Sequence, residues 1–476
     1  MRNSLGIGLV LACLVAANPL YGCATNKTTA TAVTKDDTEL LAVFAVSRHG
    51  IRSQTLPLAT INQYTQRPQG FPRWPSSADG PDADVPDVPG NLSTIGEQNV
   101  VRLGAWYRDF YAAQGLLPPR GSCPAIGTVF VYADVMERTV HTAQAYLDGL
   151  FQAETTADCD VEVLHGNGKA DLYIDVPVAG VCKVDTAMDQ AALNVKIGDN
   201  PAWLLSAYGA ELQTLQTVTQ CCKPEVCATT QNPTPTSCSL QEIASVVSVN
   251  ATSGMVGFGP LFSVADEVTE TFLLEYAQGM PETACDTTEG AQCVGWGAIP
   301  QGGLYDLMKL HVAHFDLIYR LPSFAQAASS NLMWQLVGTM GQTLSGAKNP
   351  DMLAPAESKF TLFVGHDINL TAIGGFLDVT WQAEGFQEND PSPAGAFVFE
   401  LHRVKQSDQL IVRLFFVSAS LDQMRNGTEL TLQAPPQRVP LVIPACGNLD
   451  CPYELFKTFI TDHVRQDCLI ATGSAP

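Results

Sequence analysis

At 476 residues, 46% of them hydrophobic and 16% charged, the chain has a globular composition and length enough for two or three domains or one large domain with an insertion. Its 48 acidic residues against 26 basic ones leave a formal charge of -22, which argues against a nucleic-acid partner because no basic patch could easily dominate that field. Beyond the N-terminal segment, no stretch is long and apolar enough to span a bilayer.

Met1-Arg2-Asn3 and the apolar run from Leu5 to Ala17 have the shape of a secretory signal over residues 1–22. Leu20-Tyr21-Gly22-Cys23 resembles a lipoprotein processing site, at which Cys23 would carry lipid and anchor the chain to a membrane; ordinary signal cleavage is the rival. Cysteine parity bears on that choice. Of 14 cysteines, Cys13 lies in the signal, and with Cys23 lipidated 12 remain, enough for six disulfides in an oxidising compartment, although cleavage after Cys23 leaves the same number. A metal site at Cys221, Cys222 and Cys227 is the weaker reading, since exported cysteines usually pair and no histidine stands nearby. Residues 23–37 form a polar tether.

The apolar run from Leu40 to Val46 predicts a buried strand, and Arg48-His49-Gly50-Ile51-Arg52 follows at its carboxyl end. Residues 68–90, rich in Pro, Gly, Asp and Ser, predict a loop long enough to border a site. Leu92-Ser93-Thr94-Ile95-Gly96-Glu97 opens an amphipathic helix with apolar Val100, Val101, Leu103, Trp106 and Tyr107. A second strand, Thr128 to Ala133, delivers Asp134, Glu137 and Arg138 to its end and runs into a helix through Leu150. From about Lys183 to Leu310 this rhythm stops, and helical patterns predict a mainly helical insertion. His311 and His314 stand at i,i+3 spacing, but Leu307, Leu310, Val312 and Phe315 around them read as a packed helix rather than a metal site. A third strand, Phe360 to Val364, ends at Gly365-His366-Asp367, and the runs Ala396–Leu401 and Leu410–Val417 predict a hairpin.

Three strand ends thus offer Arg48, His49 and Arg52, then Arg138, then His366 and Asp367. Arginine forks match phosphate oxygens and stay charged, and a histidine among them offers a nucleophilic ring nitrogen. Phosphoryl transfer needs fixed cations around the equatorial oxygens, a nucleophile in line and a proton for the leaving alkoxide. That assigns the cations to Arg48, Arg52 and Arg138, attack to His49 and general acid catalysis to Asp367, with no cofactor and no metal. Cations beside His49 favour its neutral ring, while Asp367 is pulled in opposite directions by the arginines and by bound phosphate, so an acidic optimum is expected.

At these residues the chain resembles the histidine acid phosphatases, the second branch of the histidine phosphatase superfamily, and among them the bacterial phytases and glucose-1-phosphatases. Arg48-His49-Gly50-Ile51-Arg52 and His366-Asp367 match the two family motifs. The segment from Ala133 to Thr139 looks like a third phosphate-binding segment, and Ala277-Gln278-Gly279-Met280-Pro281-Glu282 like a substrate-pocket segment. The resemblance implies an α/β fold: a central, mainly parallel sheet flanked by helices, phosphoglycerate-mutase-like, with a catalytic domain over 38–182 and 311–476 and an inserted α domain over 183–310. It implies a phosphohistidine on His49, proton donation by Asp367, phosphate contacts from Arg48, Arg52, Arg138, His366 and Thr55, and pocket residues Met280 and Glu282. It also implies bridges Cys123–Cys159, Cys182–Cys468, Cys446–Cys451 and Cys221 or Cys222 with Cys238; Cys285–Cys293 and the leftover cysteine with Cys227 would be additional. The expected location is the periplasm or outer membrane of a Gram-negative bacterium, with secretion as the alternative, and the expected partner is a small-molecule phosphate ester taken by a monomer.

Departures cluster beside the first motif. Gln54 stands in place of a usual proline, and Leu56 where bacterial phytases carry a lysine near the substrate. An inositol hexakisphosphate needs cations beyond those that hold the reacting phosphate, so Leu56 and the loop acids Asp79, Asp82, Asp84 and Asp87 weaken a phytate assignment. A glucose-1-phosphatase or broad acid phosphatase is the alternative, and a catalytically silent phosphate-ligand binding lipoprotein the non-enzymatic one.

Overall fold

A computed structural model describes residues 37–74, 89–151, 159, 161–166, 182–198, 200, 203–243, 247–250, 256–258, 260–281 and 294–469. The signal, Cys23, the tether to residue 36, most of the acidic loop, Glu282, Cys285 and Cys293 lie outside these residues.

One eight-stranded sheet organises the chain. Its strands are β1 (Thr38–Arg48), β2 (Val129–Ala133), β3 (Val163–His165), β4 (Phe360–Gly365), β5 (Ala396–Val404), β6 (Leu410–Ser418), β7 (Gln437–Leu441) and β8 (Cys451–Pro452), in the order β8-β6-β5-β1-β4-β2-β3, with β7 also on β6. The core β1, β4, β2 and β3 is parallel, and β5 to β8 extend it antiparallel. The central parallel strands β1, β4 and β2 are buried, so they read as near-continuous apolar runs rather than alternating ones: Val43 through Val46 are fully buried. The predicted hairpin is β5–β6. Strands β3, β7 and β8 escape a reading of periodicity because two to five residues carry too little of it.

The helices that matter for the site are α1 (Thr94–Ala112), α2 (Glu137–Phe151), α3 (Thr186–Ile197), α4 (Gly209–Thr219), α5 (Pro260–Ala277), α6 (Gly303–Ile318), α7 (Pro322–Ser345) and α8 (Asp367–Leu377). Ser93 caps α1 by accepting from the Gly96 amide at 2.9 Å. A Cβ at Gly96 would collide with the Ile51 backbone, so glycine is what lets α1 lie against the first motif. Helices α3 to α6 bury Leu193, Leu215, Phe262, Val268, Leu307 and Leu310 in a second apolar cluster. The stretch between α4 and α5 also holds one short antiparallel strand pair, Val247–Val249 with Val256–Phe258.

Bridges Cys123–Cys159, Cys182–Cys468 and Cys446–Cys451 join as the family pattern implies. The other assignment needs correction. Cys238 pairs with Cys227, whose Cα lies 5.5 Å away at the end of the turn Pro224–Cys227, rather than with Cys221 or Cys222. The turn brings Cys227 up to the Cys238–Ser239 backbone, a proximity that sequence order alone does not reveal.

Candidate active site

The site follows from parallel register. Arg48 at the end of β1 stands beside Gly365 at the end of β4, and Val364 beside Ala133 at the end of β2. Chain leaving three adjacent parallel strands at their carboxyl ends must converge, which places Arg48-His49, His366-Asp367 and the Asp134–Arg138 turn around one point. The His49 amide donates to the Gly365 carbonyl at 2.9 Å, and the Asp134 amide to Val364 at 3.0 Å, locking the three turns together.

His49 is buried, and its Nδ1 lies 2.8 Å from the Gly50 carbonyl. A carbonyl only accepts, so Nδ1 carries the proton and Nε2 keeps its lone pair. Burial first, and then the charges of Arg48, Arg138 and Arg52, hold the imidazole well below its ordinary pKa, so the ring stays neutral in acid. The His366 ring sits edge-on to it, 5.5 Å between centroids, and its Nδ1 contacts Asp134 at 3.2 Å. Burial and Arg138 push His366 down to about 3.

Arg48 is fully buried and donates to the Pro391 carbonyl at 2.7 Å, to Asp367 at 2.9 Å and to Glu270. Arg52 donates to the other Glu270 oxygen at 2.6 Å. Arg138 opens α2 and reaches the Gly90 carbonyl at 3.5 Å. Nε of each of these three arginines is buried without a hydrogen-bond partner among the described residues, donor capacity that an anion would use. Asp367 is the first residue of α8, where the helix dipole favours a carboxylate. Burial alone would raise its pKa, but Arg48 and Arg52 outweigh burial and hold it below the usual carboxylate range.

Two carboxylates on α5 complete the arrangement, and motif reading misses both. Glu270 bridges Arg48 and Arg52, and Glu267, one turn earlier, binds Thr55. Thr55 itself is exposed. In sequence, both are ordinary helix glutamates; only their place on the face of α5 that turns toward the arginines distinguishes them. Met280 is buried just beyond α5, where its carbonyl accepts from the Trp296 indole at 2.9 Å. His311 and His314 on α6 share one carboxylate, Asp266, at 2.6 and 2.8 Å.

The sequence profile of the histidine phosphatase superfamily (branch 2) matches residues 39–417. The chain belongs to that family. Among its relatives, the phytase AppA of Escherichia coli is 30% identical over 422 residues, spanning 87% of this chain and 89% of the relative. Glucose-1-phosphatase of Salmonella typhimurium is 28% identical over 432 residues, spanning 89% and 92%. The Hafnia alvei phytase in complex with tartrate has a TM-score of 0.74 at 28% identity and covers 92% of this chain and 100% of its own; its complex with myo-inositol hexakis sulphate gives the same figures. With this membership the chain is an enzyme, a phosphatase, and its mixed sheet with a parallel core is the phytase fold.

Proposed function

We propose that this phosphatase hydrolyses phosphate monoesters through a phosphohistidine on His49. The observation that carries the reading is the tautomer: with Nδ1 held by the Gly50 carbonyl, the lone pair of Nε2 is free to attack among three arginines. Arg48, Arg52 and Arg138 neutralise the equatorial oxygens as charge spreads over them. Nε2 attacks phosphorus, the P–O ester bond breaks, and the leaving oxygen takes a proton from Asp367. Water then attacks phosphorus, the P–N bond breaks, and the water's proton passes through Asp367 to the departing inorganic phosphate, which leaves Nε2 restored and Asp367 ionised. Asp367 is held ionised by Arg48 and Arg52, so its proton arrives with the substrate, as the monoanionic ester that predominates below about pH 6. The rate is therefore expected to fall as pH rises through that range.

His366 completes the phosphate contacts in this reading, Thr55 stands at their edge with its donors on Glu267, Met280 and Glu282 belong to the substrate pocket, and no metal takes part. Phytate is one candidate substrate and glucose 1-phosphate another. Residues 38–182 and 311–476 form the catalytic unit in this reading, and residues 183–310 the inserted α domain. The disulfides and the N-terminal sequence support export, with Cys23 as a lipid anchor.

Acid-quenched single turnover with an aryl phosphate, followed by mass spectrometry, should find the phosphate adduct on the peptide holding His49. His49→Ala should abolish both adduct and turnover, and a chelator should leave wild-type turnover intact. Turnover that survives the substitution, or that a chelator stops, would refute this mechanism.

A further inference from the structure

The loop after Arg52 presents three donors to one place, and the protein's own carboxylate takes them all. The Thr55 hydroxyl lies 2.8 Å from each oxygen of Glu267, and the backbone N–H groups of Thr55 and Leu56 donate to Glu267 Oε1 at 3.2 and 3.3 Å. Converging N–H and O–H groups of this kind make an anion seat. Here the anion is internal. The seat also borders the phosphate cradle. Burial raises the Glu267 pKa while Arg52 and the Thr55 hydrogen bond favour its carboxylate, and Gly90 lies between Thr55 and Arg138, a Cβ at that glycine falling 4.0 Å from Thr55 Cγ2 and 3.5 Å from Arg138 Nη1. Leu56 adds no cation to the same edge.

We propose that Glu267 determines specificity: seated on the Thr55–Leu56 donors, it makes the subsite beside the reacting phosphate one that takes the hydroxyl-bearing group of a sugar or polyol monophosphate and turns away a second phosphate. The inference rests on the phosphate cradle assigned above. A hydroxyl donates to the carboxylate and accepts nothing it cannot find in water, whereas a neighbouring phosphate meets like charge and finds its donors occupied. Glu270 does not relieve this, because its charge is committed to Arg48 and Arg52.

The test compares phytate, glucose 1-phosphate and p-nitrophenyl phosphate as substrates of the wild type, Glu267→Gln and Glu267→Ala, each checked for a cooperative thermal melt. The ratio of kcat/KM for phytate to that for p-nitrophenyl phosphate should rise about tenfold in Glu267→Ala, on the scale of one solvated unit charge at close range, with the change carried by the KM for phytate. The same ratio for glucose 1-phosphate should fall. A phytate ratio that stays level or drops in both variants overturns the proposal. Binding separates this outcome from failure of the catalytic reading: calorimetric titration of His49→Ala and of His49→Ala/Glu267→Ala with myo-inositol hexakis sulphate needs no turnover. Removal of the carboxylate should tighten that binding by a similar factor, and unchanged binding would overturn the proposal even if the enzyme proves active.

Discussion

The two walls of the site are built on different principles. The sheet wall presents Arg48, His49, Arg52, Arg138, His366 and Asp367 from the ends of three parallel strands, where the His49 and Asp134 amides hydrogen-bond to the neighbouring turn. The helix wall presents Glu267 and Glu270 from one face of α5, and their positions depend on side-chain pairing across a seam between the two apolar clusters. The first wall is cationic and, in the proposed mechanism, carries the reaction. The second is anionic, and it sets what the cations hold before a substrate arrives and what the substrate meets beside its phosphate. On the proposed reading, chemistry sits on the strand ends and selectivity on the helix face.

Substitutions on each wall should therefore fail differently. The largest effect is expected on the sheet wall: Asp367→Asn should lower kcat/KM, which reports the step that expels the leaving group, by about a hundred- to ten-thousand-fold for an alkyl phosphate, and much less for p-nitrophenyl phosphate, whose leaving group needs no proton. Equal losses on the two esters would remove Asp367 from proton transfer. On the helix wall, Glu270→Gln leaves Arg48 and Arg52 without a full counter-charge and should cost about 3 kcal/mol of stability in phosphate-free buffer. Inorganic phosphate should restore most of the lost Tm, because it supplies the missing charge; a Tm deficit that phosphate leaves untouched would mean that Glu270 is only a packing residue.

The smallest effect is expected behind the helix wall. Burial alone would lower the His311 pKa, but Asp266 outweighs it and raises it to about 9. Its folded value exceeds the unfolded 6.5, so the stability it contributes is fully present below that value and is lost as pH rises through about 9. Asp266 is shifted down, and its share is present above the ordinary carboxylate range and lost only in strong acid. Thermal melts from about pH 7 to about pH 9.5 should show the wild-type Tm falling more steeply than that of His311→Gln. Parallel slopes would show that the imidazolium contributes nothing.

The same division explains what the sequence makes legible. Arg48, His49, Arg52, His366 and Asp367 stand in two short contiguous motifs after unmistakable apolar runs, so their convergence can be read from strand ends alone. Glu267 and Glu270 lie in a helix whose apolar residues are buried nearly all round, leaving no polar stripe to mark a functional face. Thr55 could be identified by position, but not its engagement with Glu267, since that contact joins segments 212 residues apart. The Cys227–Cys238 pairing was hidden for a related reason: a short turn decides which sulfur is near, and family position does not.

The Cys182–Cys468 bridge spans 286 residues and makes most of the protein a closed ring. Closing a loop of that size restricts the unfolded chain by about 5.6 kcal/mol on the chain-entropy estimate. The ring contains Glu267, Glu270, His366 and Asp367, while Arg48, His49 and Arg138 lie on the arm that precedes it. A protease that cuts the ring once at any point opens the backbone but releases nothing. The proposed nucleophile and the proposed acid then remain parts of one covalent molecule until the bridge is reduced.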